Sequence, residues 1–275
     1  MRRRNPLLVL GIIPLVLIAA LTIVGIWYTP YNPSQMRVRE RFQPPSSEHW
    51  FGTDQYGRDL FSRIMQGGRT TLAVGLVAVT VGLAIGTALG AVSGYYGQQW
   101  DEVLMRIADG LYAFPAFLLA LLAVTIVGPG RGTVLTAIAV ANVPIFMRVA
   151  RANFVQLRNT TYIEAARAIG ASDLRIAVQH MLPNTVTPLL VQASASFAAS
   201  VLAEASLSYL GVGIQPPLAS WGRMLREAQS FAGLAPWTVV FPGLALALTI
   251  LGLNLLGDGI QERRSEGGIA QSRHE

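Results

Sequence analysis

The sequence predicts an all-α, polytopic membrane protein with six transmembrane helices, organised as a single transmembrane domain over residues 1–275. Two observations carry this prediction. Hydrophobic residues make up 52% of the chain and charged ones only 13%, about half the share a soluble domain carries. The apolar residues also fall in blocks, each near the ~20 residues a helix needs to cross a bilayer. A soluble fold would have to bury several such helices completely in one small domain.

The first block, about residues 7–27, follows Arg2, Arg3 and Arg4 and ends on Trp27 and Tyr28. A secretory signal has a similar charged start, but its apolar part is only about 7–15 residues long. The block therefore reads as a retained helix with an aromatic interface anchor, and the arginines place the N-terminus in the cytoplasm. Residues 28–70 are polar, proline-containing and read as an extracytoplasmic loop. Their six arginines against four acids oppose the positive-inside rule; the arginines at the N-terminus and after the fourth helix outvote them.

The second helix, about 71–95, carries Gly82, Gly86, Gly90 and Gly94 in strict four-residue register. Such a stripe lets a neighbouring helix pack closely. After a short polar turn come a third helix at about 103–127, kinked at Phe114-Pro115, and a fourth at about 133–149. Residues 150–184 are rich in arginine and read as cytoplasmic. Within them Thr161 to Ile169 and Ser172 to Met181 are competent to form short helices, separated by Gly170. The fifth helix covers about 185–210, an extracytoplasmic segment 211–236, and the sixth helix about 237–256. A charged tail, 258–275, follows in the cytoplasm, so both termini lie inside.

Several chemistries are excluded. The chain has no lysine, so it cannot form a Walker A loop, whose lysine contacts the phosphates. It has no cysteine for disulfides, thiolate metal sites or nucleophilic catalysis. Its three histidines, His49, His180 and His274, are divided by the topology, and neither HExxH nor GxSxG occurs. Its arginines are spread over loops instead of forming a nucleic-acid patch. The expectation is a chain that is not an enzyme and binds no cofactor, metal or nucleic acid of its own. In the fifth helix Gln192, Ser196, Ser200, Glu204 and Ser208 recur every four residues. Ionisable groups at membrane depth are costly, so this stripe either lines a solute pathway or bonds one helix to another.

The cytoplasmic run Glu164-Ala165-Ala166, then Gly170, then Leu182-Pro183-Asn184, resembles the EAA signature of ATP-binding cassette (ABC) importer permeases. Three more segments are similar to the dipeptide/oligopeptide/nickel permease family and its C-type subunit. One is Phe51-Gly52-Thr53-Asp54 with Gly57-Arg58-Asp59. Another runs from Glu204 to Gly211 with Trp221-Gly222, and the third is Asn254 to Gly259. The resemblance implies the type I ABC importer permease fold in the bacterial cytoplasmic (inner) membrane. It implies a second, B-type permease as partner, two ATPase subunits that hold the ATP and Mg, and an extracytoplasmic solute-binding protein. The substrate implied is a dipeptide or oligopeptide; a nickel or other small-solute permease is the alternative within the family, and a stand-alone secondary transporter the alternative outside it. Glu164, Ala165, Ala166, Gly170, Leu182 and Pro183 would couple to the ATPases, with Ala165, Ala166 and Gly170 as docking surface and Glu164 fixing the loop. Phe51, Gly52, Thr53, Asp54, Gly57, Arg58, Asp59 and Trp221 would meet the binding protein, unless Asp54, Arg58 and Asp59 serve only to hold the loop together.

Overall fold

The structure, a computed structural model, describes residues 6–271, with side chains placed for 9–115 and 117–262. Arg2, Arg3 and Arg4, on which the orientation of the N-terminus rests, and His274 lie outside the described residues. The helices in chain order are α1 Pro6–Trp27, α2 Leu60–Tyr96, α3 Gln98–Tyr112, α4 Ala116–Val127, α5 Arg131–Arg158 and α6 Thr161–Ala168. Then come α7 Asp173–Arg175, which runs through a π-helical segment Ile176–Met181 into α8 Leu182–Leu210, and finally α9 Trp221–Ala228 and α10 Trp237–Gln271. Among the described residues the β-pairing is one isolated bridge, Thr53 to Asp59. Five stretches are long and apolar enough to cross a membrane: α1, α2, α5, Asp173–Leu210 and α10. The pair α3 and α4 passes the same test jointly, although it bends by 82°.

The closest seam in the bundle lies between α2 and α5. A Cβ placed on Gly82 would sit 2.5 Å from Cβ of Asn142, and one on Gly86 2.5 Å from the Val143 carbonyl oxygen. On Gly90 it would collide with the Met147 carbonyl oxygen, and on Gly94 it would lie 2.7 Å from Cβ of Phe154. Both sets of numbers rise together, so the two helices run parallel. Bare backbone on one side lets dispersion contacts form along four turns, which matters where lipid removes the hydrophobic drive for helix association. Against this pair α8 runs antiparallel, with Leu189 beside Phe146 and Leu207 beside Val134. The outer pair, α1 and α10, is also closely packed, Gly11 against Leu255 and Gly252 against Leu15.

Several element boundaries differ from those read in the sequence. The second helix begins at Leu60, not near Thr71, because Asp59 caps it, accepting from the Ser62 backbone N–H at 2.8 Å. The polar residues of its first turns bond to distant partners, so polarity there does not mark a loop. The third helix starts at Gln98 directly after Gly97, since Asp101 is held by Ser93 (2.5 Å) and by Arg151. Its expected kink is a full break at residues 113–115. The fourth helix extends to Arg158, past the expected end near Val149, as Arg151 and Arg158 lean back on Asp101 and on the Gly94 carbonyl. The last helix continues past Leu256 to Gln271.

The seam predicts a sharp contrast between glycines. Gly86→Ala should lower unfolding stability by about 1–3 kcal/mol through overpacking. Gly110→Ala, whose Cβ would meet nothing within 4 Å, should hold or raise it. Thermal unfolding of the two purified variants in the same detergent checks this; equal losses would refute the seam.

Candidate functional site

Three groups of residues singled out by the sequence occupy three places in the bundle. The first is the knob formed by α6 and α7, where α5 gives way to α8. Thr160 is extended and starts α6. On this short helix Ile163 and Ala166 share one face and are buried with Tyr95, Phe154, Ile176 and Met181. Glu164 and Ala165 point outward, and among the described residues the Glu164 carboxylate makes no hydrogen bond or ion pair. Ala166 was placed in the docking surface but anchors the helix, and Glu164 was expected to fix the loop but is free. The cause is helical periodicity, which puts positions 163 and 166 together and turns 164 and 165 away.

Gly170 turns the chain with φ +83°, and a Cβ there would meet nothing within 4 Å. Beside it Ile169 is 86% and Leu174 75% exposed. These two apolar side chains were not singled out in the sequence, although their spacing across the Gly170 turn is a usable signal. The knob is tied to the bundle by the Tyr95 hydroxyl, 2.6 Å from Asp173, and by Asn184, which donates to the Tyr162 hydroxyl at 3.4 Å. Leu182 lines a groove of about 640 Å³ between the end of α2 and the start of α8. Pro183 is the second residue of α8, directly after the π-helical segment Ile176–Met181.

The second group is the polar stripe of α8. Glu204 is 0% exposed. It accepts from Ser208 at 2.7 Å, and the hydroxyls of Thr71 on α2 and Ser220 at the start of α9 lie beside it. Ser200 accepts from Asn142 of α5 at 3.1 Å, and Gln192 donates to Ser196 at 3.2 Å. Ser208 also accepts from the Ile214 backbone at 3.0 Å. From Ser196 to Ser208 the stripe is therefore buried within this chain: Ser200 bonds α8 to α5, and Glu204 sits beside Thr71 of α2 and Ser220 before α9, its Oε2 atom without a hydrogen-bond partner among the described residues. Asn142, the partner that ties it to the glycine seam, was not recognised from the sequence.

The third group is the loop before α2. Arg58 donates to Asp54 at 2.6 Å and to Glu227 of α9 at 2.6 Å. Arg63, 2% exposed, donates to Glu227 at 3.2 Å, and Arg223 reaches the same carboxylate at 2.8 Å. Three arginines thus share two acids, and Arg63 directs a further N–H to the Pro33 carbonyl at 3.4 Å. Asp59 accepts from His49 at 2.9 Å while capping α2. Thr53 donates to the Glu40 carbonyl, Gly57 (φ +71°) lies against the Arg37 carbonyl, and Gly52 packs on Trp237. Phe51 stacks on Phe241 at 4.0 Å, and Trp221 donates to the Ile64 carbonyl at 3.0 Å. Among the proposed binding-protein contacts, seven are buried and Phe51 is half-buried. They hold the loop, whose exposed large apolar side chains include Met36, Val38, Trp50 and Tyr56. Glu227 organises this cluster; its signal in the sequence is the i, i+4 spacing from Arg223.

A family model described as "Binding-protein-dependent transport system inner membrane component" matches residues 86–264, nearly two thirds of the chain. The chain belongs to this family of permeases. A second model, the N-terminal TM domain of oligopeptide transport permease C, matches residues 3–45. A dipeptide transport system permease protein of Alkalihalophilus pseudofirmus is 43% identical over 94% of this chain and 86% of its own length. A glutathione transport system permease protein of Pectobacterium atrosepticum is also 43% identical, with the same shares. Among solved structures, the MetNI methionine ABC transporter in an inward-facing conformation shares the fold, with a TM-score of 0.59 at 20% identity, over 72% of this chain and 94% of that one. This ABC importer permease is a multi-pass membrane protein of the C type.

The ion cluster of this permease has a pH signature. Burial pushes the Glu227 carboxyl up, but the charges of Arg63, Arg58 and Arg223 outweigh it and hold the group below the ordinary glutamate value. The stabilisation is therefore complete above about pH 4.3 and fades as pH falls through the lower folded-state value. Glu227→Gln should cost about 3 kcal/mol or more near neutrality, because it leaves the arginines underpaired in a buried site. The gap from wild type should narrow on acidification. Unfolding midpoints of both proteins between about pH 3 and 7 test this; parallel profiles would show that Glu227 does not carry the cluster.

Proposed function

We propose that this permease spans the bacterial cytoplasmic membrane with both termini inside. It would pair there with a B-type permease to form the pathway for dipeptides or oligopeptides. Two ATPase subunits bind ATP and Mg beneath it, and a solute-binding protein delivers substrate from outside; this chain itself holds neither nucleotide nor metal. The observation that carries the coupling role is the knob. It offers Ile169, Leu174, Glu164, Ala165 and the open edge of Gly170 outward while Ile163 and Ala166 lock it to α2, α5 and α8. A surface apolar at its tip and rigid at its root fits a lever that another subunit grips. ATP-driven movement of that subunit would rotate the attached helices as a body, since packed cores switch between arrangements instead of deforming continuously.

The relatives named for dipeptide and glutathione transport favour peptide substrates, glutathione being itself a tripeptide. The Glu204 stripe would serve assembly and not substrate contact, because it is enclosed within one subunit.

The absence of native cysteine makes a clean test available. Ile169→Cys should cross-link to an ATPase subunit in the co-purified complex, while Ala166→Cys should not. Gly170→Trp should leave the complex assembled and ATP hydrolysis running but reduce peptide uptake at least about tenfold, a loss of about 1.4 kcal/mol in coupling. Normal uptake by that variant would sink the docking assignment.

A further inference from the structure

We infer that the loop before α2 carries a binding site for a primary ammonium group, separate from the coupling surface and from the α8 stripe. A cavity of about 280 Å³ opens there, lined by Tyr31, Trp50 and Phe61 together with Glu48 and Asp59. No basic side chain lines it. The Trp50 and Phe61 rings stand 5.0 Å apart and tilted, and Trp50 is 61% exposed at the mouth. The Tyr31 ring already has the Arg37 guanidinium 5.8 Å from its centroid and the His49 ring, tilted, at 4.6 Å.

The charges around the cavity are informative. Among the loop acids, Glu40 pairs with Arg37, Asp54 with Arg58, and Asp59 with His49. Glu48 alone has no side-chain partner among the described residues, in a chain where arginines outnumber acids, 21 to 15. An unpaired carboxylate beside aromatic faces attracts an organic cation by charge and by ring quadrupole together. The cavity is wide enough for an ammonium on a short stem and too small for a whole peptide. Its position suggests two sources for that group. Pro30 and Tyr31 follow within four residues of the end of α1, where Trp27 and Tyr28 are exposed as interface anchors. A phosphatidylethanolamine headgroup reaches that level from the membrane, and the amino terminus of a peptide reaches it from solution.

The full chain in lipid nanodiscs tests both sources. Native mass spectrometry would count retained phosphatidylethanolamine against phosphatidylglycerol, and calorimetry would titrate a glycyl-phenylalanine amide. One or both ammonium probes should bind saturably, weakened about tenfold by Glu48→Gln and by Trp50→Leu, with phosphatidylglycerol retention unchanged. Retention of the lipid alone assigns the headgroup, and binding of the amide alone assigns a solute. Saturable binding by neither probe, or binding undiminished in the double variant, overturns the site. Both side chains are exposed, so unchanged melting of the variants excludes unfolding as the cause.

Discussion

The backbone contact between α2 and α5 sets the position of nearly everything else. Four glycines bring one helix against the carbonyls and Cβ atoms of the other, so neither can slide without collision. Asn142 sits in that seam and bonds outward to Ser200, which registers α8 on the pair. Glu204, one turn further along α8, then meets Thr71 of α2 and the start of α9. A polar group unsatisfied in hydrocarbon costs several kcal/mol. These bonds therefore specify one arrangement more than they add stability. Tight apolar seam and polar cross-ties act together, the seam excluding lipid and the ties choosing the register.

The two ends of the bundle differ in kind. At one end the knob is held by a small apolar cluster, Tyr95, Phe154, Ile163 and Ile176, with its tip bare. At the other, charged side chains are drawn inward and consumed by each other, Arg58 and Arg63 on Glu227. The first arrangement suits a surface that another protein grips. The second suits a rigid lid that ties the loop, the first turns of α2 and α9 into one piece.

Much of this was legible in the amino-acid order. The apolar blocks located the spans, since nothing else accounts for twenty uncharged residues in a row. The four-residue glycine register announced a close helix contact, though not which helix would fill it. What escaped reading depended on distant partners. Ser62 and Arg63 look like loop residues until Tyr31 is beside the first and Glu227, more than 160 positions away, is beside the second. The face of an eight-residue helix cannot be chosen from an alanine pair; Ile163 decides it, because the largest apolar side chain goes inward. The inward turn of the α8 stripe was equally open, since a row of serines and a glutamate serves a pathway or a packing contact alike.

The parallel run of α2 and α5 constrains the path of the chain between them. Two neighbours that travel in the same direction require the polypeptide between them to return across the full height of the bundle. Residues 98–127 must make that return, broken though they are at residues 113–115. The bent pair therefore carries the chain back along the bundle, with α3 and α4 both packed on α5. The start of α1 and the far part of α10, which pack on each other through Gly11 and Gly252, then lie toward the same end of the bundle as the knob.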